Sequence, residues 1–119
     1  MDEKKLKDTH MWLKIIEFQY VNSEEVVAVK FEGGIAVLMG RMGGSMFEMA
    51  KVTNNHAIAT MTQKWFKLKS MHINPLRCSK LDFIPADGSQ TVQFFVGGTS
   101  PAFSSSDPAD VAAVRRQLP

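Results

Sequence analysis

Cysteine is nearly absent from this chain: Cys78 is the only one in 119 residues. A lone thiol cannot close an internal disulfide, which excludes the stapled frameworks of small secreted domains. A reducing, cytoplasmic location is the expectation that follows. Long apolar runs are missing too. Val26–Val29 and Ile35–Met39 are short, and Lys30, Glu32 and glycines interrupt them. Neither approaches the roughly 20 residues that a membrane-crossing helix needs. The charged stretch Met1–Asp8 has no apolar segment of signal-peptide length behind it, so no membrane partner is expected. Charge of one sign is also scarce. The formal net charge of +2 is too small to imply a nucleic-acid partner by itself.

Catalytic signatures are equally sparse. Neither a Gly-x-Ser-x-Gly elbow nor a phosphate-cradling Gly-x-x-x-x-Gly-Lys-Ser/Thr loop occurs. His10, His56, His72 and Cys78 match no compact zinc or redox spacing. Glu24-Glu25 reads as a turn and Asp107 with Asp110 as a helix cap, not as acid–base pairs. No catalytic residue, metal or cofactor is assigned on these grounds. Met39, Met42, Met46 and Met49 could form a soft copper site only if the loop folds inward. Methionine more commonly fills irregular core gaps or an adaptable surface, and that reading is preferred.

What the chain does have is alternation. A hydrophobic share of 45% suits a single globular domain spanning residues 1–119. Residues 1–9 read as a flexible polar arm. A strand is expected from about Trp12 to Val21, where Ile16, Phe18 and Tyr20 alternate with Glu17 and Gln19. Val26–Phe31 and Ile35–Met39 make a hairpin across Gly33-Gly34. A strand follows over Ser45–Val52, and Thr53-Asn54-Asn55 can cap a short helix through Met61. The methionine spacing would also suit one long helix, but Gly40, Gly43 and Gly44 would sit inside it at about 1 kcal/mol each. That helix is rejected.

The second half reads similarly. Strands are expected over Lys64–Ile73, Lys80–Ile84 and Gln90–Val96, with Pro85-Ala86-Asp87-Gly88 as a turn. Asp107-Pro108-Ala109-Asp110 opens a helix over Pro108–Leu118, whose apolar stripe is Val111, Val114 and Leu118. The apolar frame recurs. Leu13-Lys14, Phe18, Val21 and Val26 match Leu68-Lys69, Ile73, Leu76 and Leu81, and Gly33 and Val37 fall on Gly88 and Val92. An antiparallel meander would give similar spacing by accident. The fold expected is mainly β (α+β): an antiparallel barrel or two-sheet domain of six to eight short strands with a C-terminal helix. Residues 11–61 and 66–118 would form two tandem ββββα-like repeats.

This pattern reports architecture and names no reaction. The preferred reading is a non-catalytic interaction or assembly domain that self-associates, as a homodimer, or binds another protein. Its contacts would be Trp12, Tyr20, Trp65 and Phe95. The alternative is single-stranded nucleic-acid or polyanion binding through Lys64, Trp65, Lys67, Lys69 and Arg77, in a stretch free of acidic residues until Asp82. The simpler account of those residues is aromatics packed inward and lysines solvating an edge strand. A third reading is a small ligand-binding barrel or minor enzyme.

Overall fold

A computed structural model describes residues 12–53, 55–86 and 88–119, the side chain of residue 86 excepted. The polar arm expected over residues 1–9, Asn54 of the first helix cap and Asp87 of the expected turn lie outside the described residues. Within them the chain is mostly β, and the rejected long helix is absent: residues 35–52 form two strands.

The first half opens with β1 (Trp12–Ile16) and β2 (Gln19–Asn22), then a 3-10 turn at Ser23–Glu25. Three strands follow, β3 (Ala28–Glu32), β4 (Ile35–Met42) and β5 (Ser45–Val52), and then helix α1 (Asn55–Met61). The second half opens with β6 (Phe66–Lys67) and β7 (Met71–Ile73), then a 3-10 turn at Pro75–Arg77. β8 (Lys80–Ala86), β9 (Ser89–Phe95), β10 (Phe103–Ser105) and helix α2 (Pro108–Arg116) complete it. The two halves therefore run through the same kinds of element in the same order.

These strands form three antiparallel sheets, ordered β1-β2, β5-β4-β3-β7-β6 and β10-β9-β8. They do not close into a barrel, because β8 and β10 bound their own sheet and do not join the edges of the five-stranded one. The strand count is also higher than expected, ten among the described residues. One extra strand, β10, falls where no strand was expected; the other two have one cause. The single strands expected over 12–21 and 64–73 are each a hairpin. Their turns fall at Glu17-Phe18 and Lys69-Ser70, pairs without the Asn-Gly or Asp-Gly chemistry that marks a two-residue loop.

The glycine-turned hairpin is as expected. Ala28 pairs with Met39 and Glu32 with Ile35, and Gly33 and Gly34 take φ of 56° and 82° between them. Both positive values fit the mirror-image turn that matches strand twist. Gly40 has a different reason. A Cβ there would lie 2.7 Å from the sulfur of Met49 and 3.1 Å from the Phe47 ring. The α2 start is also as read: Asp107 accepts a bond from the Ala109 amide at 2.9 Å and Pro108 takes the first helical position. The helix stops at Arg116, so Leu118 packs against the core from beyond its end.

Two buried clusters hold the structure. One gathers Val21, Val26, Val29, Leu38, Val52 and Ile58 of the first half, plus Trp65 of the second. The other gathers Phe66, Ile73, Val92, Phe94, Val111 and Val114 of the second half, plus Ala28 of the first. Each half thus packs its own hairpin and helix around its own core, and each lends one side chain to the other.

Candidate assembly surface

The halves meet along β3 and β7. Ala28, Val29 and Lys30 pair with Ile73, His72 and Met71. The Asn74 amide donates to the Val27 carbonyl at 2.9 Å, and the Phe31 amide to Ser70 at 3.1 Å. Asn74 is buried and adds a side-chain bond, Nδ2 to the Val26 carbonyl at 2.9 Å. Its Oδ1 meanwhile accepts from the Leu76 amide at 3.0 Å and caps the second 3-10 turn. The Phe31 and His72 rings meet edge to face, with centroids 4.8 Å apart. Trp65 sits beside this join, 7% exposed.

Among the described residues other strand edges are unpaired: β2 pairs with β1 alone, and β8 with β9 alone. The β1–β2 hairpin carries Trp12, Ile16, Phe18 and Tyr20 at 49%, 61%, 93% and 55% exposure. Leu13 and Ile15 alone of β1 turn inward to the first core. At the base of β8 lies a hollow of about 480 Å³, lined by Phe66, Cys78, Lys80, Leu81, Phe83 and Leu118. A second concavity of about 540 Å³ separates the two 3-10 turns, with Met61, Lys64, Trp65, Pro75 and Leu76 in its wall. An unpaired strand edge is a template for another strand, and side chains of this size beside it supply the apolar area.

The structure divides the four contact residues named from sequence. Trp12 and Tyr20 are exposed on the hairpin, whereas Trp65 and Phe95 are buried. Phe95 is roofed by Lys80, whose ammonium lies 4.3 Å from the ring centroid. The basic group is divided as well. Trp65, being buried, is not presented for base stacking. The Lys67 ammonium donates to the Thr62 and Gln63 carbonyls at 2.9 and 2.8 Å, which ties down the chain just beyond α1. Lys64 and Lys69 are exposed and Arg77 is half-buried. Arg77 Nε is buried with no hydrogen-bond partner among the described residues. The four methionines are spread over β4 and β5, with Met42 largely exposed.

The polar side chains near the join are hydrogen-bonded to one another and to the backbone. Thr62 is buried and its hydroxyl donates to the Ile58 carbonyl at 2.9 Å. With that proton committed, the oxygen accepts from His72 Nδ1 at 3.1 Å. Burial lowers the His72 pKa, and the Lys67 charge lowers it further, so the neutral ring is favoured. Burial pushes the Cys78 thiol up to about 11, which leaves it almost entirely protonated and a poor nucleophile at neutral pH. Asp110 of α2 accepts from the Lys69 amide at 2.8 Å and from the Ser105 hydroxyl at 2.7 Å, locking helix, hairpin and β10 together. Among the described residues no cluster of three His, Cys, Asp or Glu side chains is placed to hold a metal. No helix among them is long and apolar enough to cross a membrane.

Asn74, Ile16 and Phe18 escaped the sequence reading. Ile16 and Phe18 were absorbed into one half-buried strand. Asn74 looked like a strand end before Pro75. A usable signal was present: Trp12-Leu13-Lys14 leads to Val21-Asn22, as Trp65-Phe66-Lys67 leads to Ile73-Asn74. In comparisons with known proteins, no family model, curated protein or solved structure matches the chain.

Proposed function

We propose that this chain is a non-catalytic, β-rich assembly domain that self-associates. One observation carries the reading: four large apolar or aromatic side chains stand exposed on a hairpin whose β2 edge is unpaired among the described residues. Burying about 100 Å² of such surface is worth about 2.5 kcal/mol before association costs. Scattered exposed apolar residues need no explanation, but a cluster on an open edge does.

The chain is built, on the same reading, as a tandem duplication of one unit over residues 12–61 and 65–116. The recurrence of element order supports this, and so do paired details. Asn22 and Asn74 each cap a 3-10 turn, at φ −73°, ψ 110° and φ −74°, ψ 111°. After each turn an amide reaches back across the sheet, Val27 to Met39 at 2.7 Å and Ser79 to Phe95 at 2.8 Å. The register that follows aligns Trp12 with Trp65, not Leu13 with Leu68. One extra residue in the first hairpin, at the irregularity between Lys14 and Ile16, accounts for the slip within it.

Size-exclusion chromatography with light scattering tests the assembly reading. A mass above the 13.3 kDa of one chain, rising with concentration, is expected. A single-chain mass held at millimolar concentration would remove it.

A further inference from the structure

We infer that copies of this chain join head to tail, the β2 edge of one adding to the β8 edge of the next, with Trp12 filling the hollow beside Phe66, Cys78, Leu81 and Phe83. The inference rests on the assembly reading and specifies which surfaces meet.

The template is the join inside the chain. There the hairpin of the second half lays β7 along β3 of the first, and Trp65 enters the first core. Each piece has a counterpart. β2 corresponds to β7 as the strand before a capped 3-10 turn, and β8 to β3 as the strand after one. Val21 matches Ile73, and both are buried core residues. Val26 matches Cys78, and Val29, paired with Leu38, matches Leu81, paired with Phe94. In the first half this position is occupied, because β7 covers β3. In the second half it is open, and the hollow of about 480 Å³ lies there.

The unfilled donor and the unfilled acceptor thus sit at opposite places in the repeat. Trp65 is 7% exposed and its counterpart Trp12 is 49% exposed. Asn74 Nδ2 bonds the Val26 carbonyl across the join, whereas Asn22 makes no such bond among the described residues. Carrying the internal register over sets Lys80 opposite Val21 of the next copy, Leu81 opposite Tyr20 and Asp82 opposite Gln19. Tyr20 then meets Phe83 as His72 meets Phe31, one aromatic pair replacing another. Asn22 Nδ2 is delivered to the Cys78 carbonyl. Two different surfaces meet in this arrangement, so it closes into a ring or continues as a filament, according to the rotation between copies.

Cysteine pairing reads the register directly. Gln19→Cys and Asp82→Cys are placed on the two edges, and each variant is purified alone. Mild oxidation of the mixture is expected to give a covalent dimer, while each variant alone gives none. The native Cys78, protonated at neutral pH, stays silent. A companion variant, Trp12→Ala, is expected to lower the association constant at least tenfold with unchanged circular dichroism, since Trp12 is half exposed in the single chain. A covalent dimer from Gln19→Cys alone would mean that like edges meet and would overturn the inference. Association that survives Trp12→Ala, with no cross-link in the mixture, overturns the inference and leaves self-association standing. A wild-type chain that stays single at every concentration removes both.

Discussion

Asn74 offers the sharpest test of how the two halves are held. Replacing it with alanine removes two bonds of different value. The bond from Nδ2 satisfies the carbonyl of Val26, a residue with 0% exposure. Left without a donor there, a buried carbonyl costs about 1–3 kcal/mol. The bond to the Leu76 amide caps a 3-10 turn at a residue 87% exposed, where water can replace it. Its loss costs about 0.5–1 kcal/mol. Asn74→Ala is therefore expected to destabilise the chain by about 2–4 kcal/mol. Within a single chain, Asn22→Ala removes the corresponding cap bond, donated by the Glu24 amide at 3.0 Å, and is expected to cost about 0.5–1 kcal/mol. In urea, at a slope of about 2 kcal/mol/M, the midpoints should fall by roughly 1–2 M and 0.25–0.5 M. Asn74→Asp separates the two bonds. It keeps the cap oxygen but turns a carboxylate oxygen toward the Val26 carbonyl, so it should cost at least as much as alanine. Tryptophan fluorescence follows the transition, with Trp65 in the first core as reporter. Equal midpoints for Asn74→Ala and Asn22→Ala, or a harmless Asn74→Asp, would refute the reasoning.

Three further outcomes follow from the same structure. The folded state holds His72 below its ordinary value of 6.5, so it binds fewer protons there than the unfolded chain does. The stability associated with the neutral ring is complete above pH 6.5 and is lost as pH falls through the lower folded value. His72→Gln should remove that part of the acid dependence in urea titrations, and an unchanged pH profile would count against the assigned burial. Asp110→Ala should cost about 3–5 kcal/mol, because it strands the Lys69 amide and the Ser105 hydroxyl, while Asp110→Asn, which can still accept from Lys69, should cost less than half of that by chemical denaturation. Gly40→Ala should cost about 1–2 kcal/mol by crowding Met49 and Phe47 across the strand pair, and Met49→Ala in the same chain should relieve part of it.

The readable parts of the sequence were those where local chemistry acts alone. Gly33-Gly34 announces its turn because only glycine takes two successive positive φ values cheaply. Asp107-Pro108 announces a helix because cap and first-turn geometry are local. The two hairpins at 12–22 and 66–73 were hidden because Glu17-Phe18 and Lys69-Ser70, all exposed, are held as turns by pairing of the flanking strands, and at Lys69 by the Asp110 carboxylate, not by their own preferences. Trp65 and Phe95 were hidden for a related reason. Their burial depends on Trp65 entering the core of the other half and on Lys80 covering Phe95, and alternation along one strand cannot reveal either. The candidate surface was half legible, through Trp12 and Tyr20. Its meaning depends on which edges pair, and that information is non-local.

The same join should behave differently inside a chain and between chains. Within the chain only residues 62–65 separate α1 from β6. So short a tether holds the second hairpin near β3 at an effective concentration of millimolar order. A join of modest intrinsic strength then stays closed. Between copies no such tether acts, and the same contacts must form at the concentration of the protein itself. At 10 µM this is roughly a hundredfold disadvantage, or about 2.7 kcal/mol. The proposed inter-copy join would also exchange a packed Phe31–His72 pair for Phe83 and Tyr20, and would place the Lys80–Asp82 ion pair, 3.3 Å long, along its edge. Assembly should therefore be reversible and dilutable rather than permanent. Added salt should change it little, because an exposed ion pair contributes under about 1 kcal/mol while apolar burial is insensitive to screening. An assembly that dissolves steeply with salt would indicate that charge, and not the hairpin's aromatic face, holds the copies together.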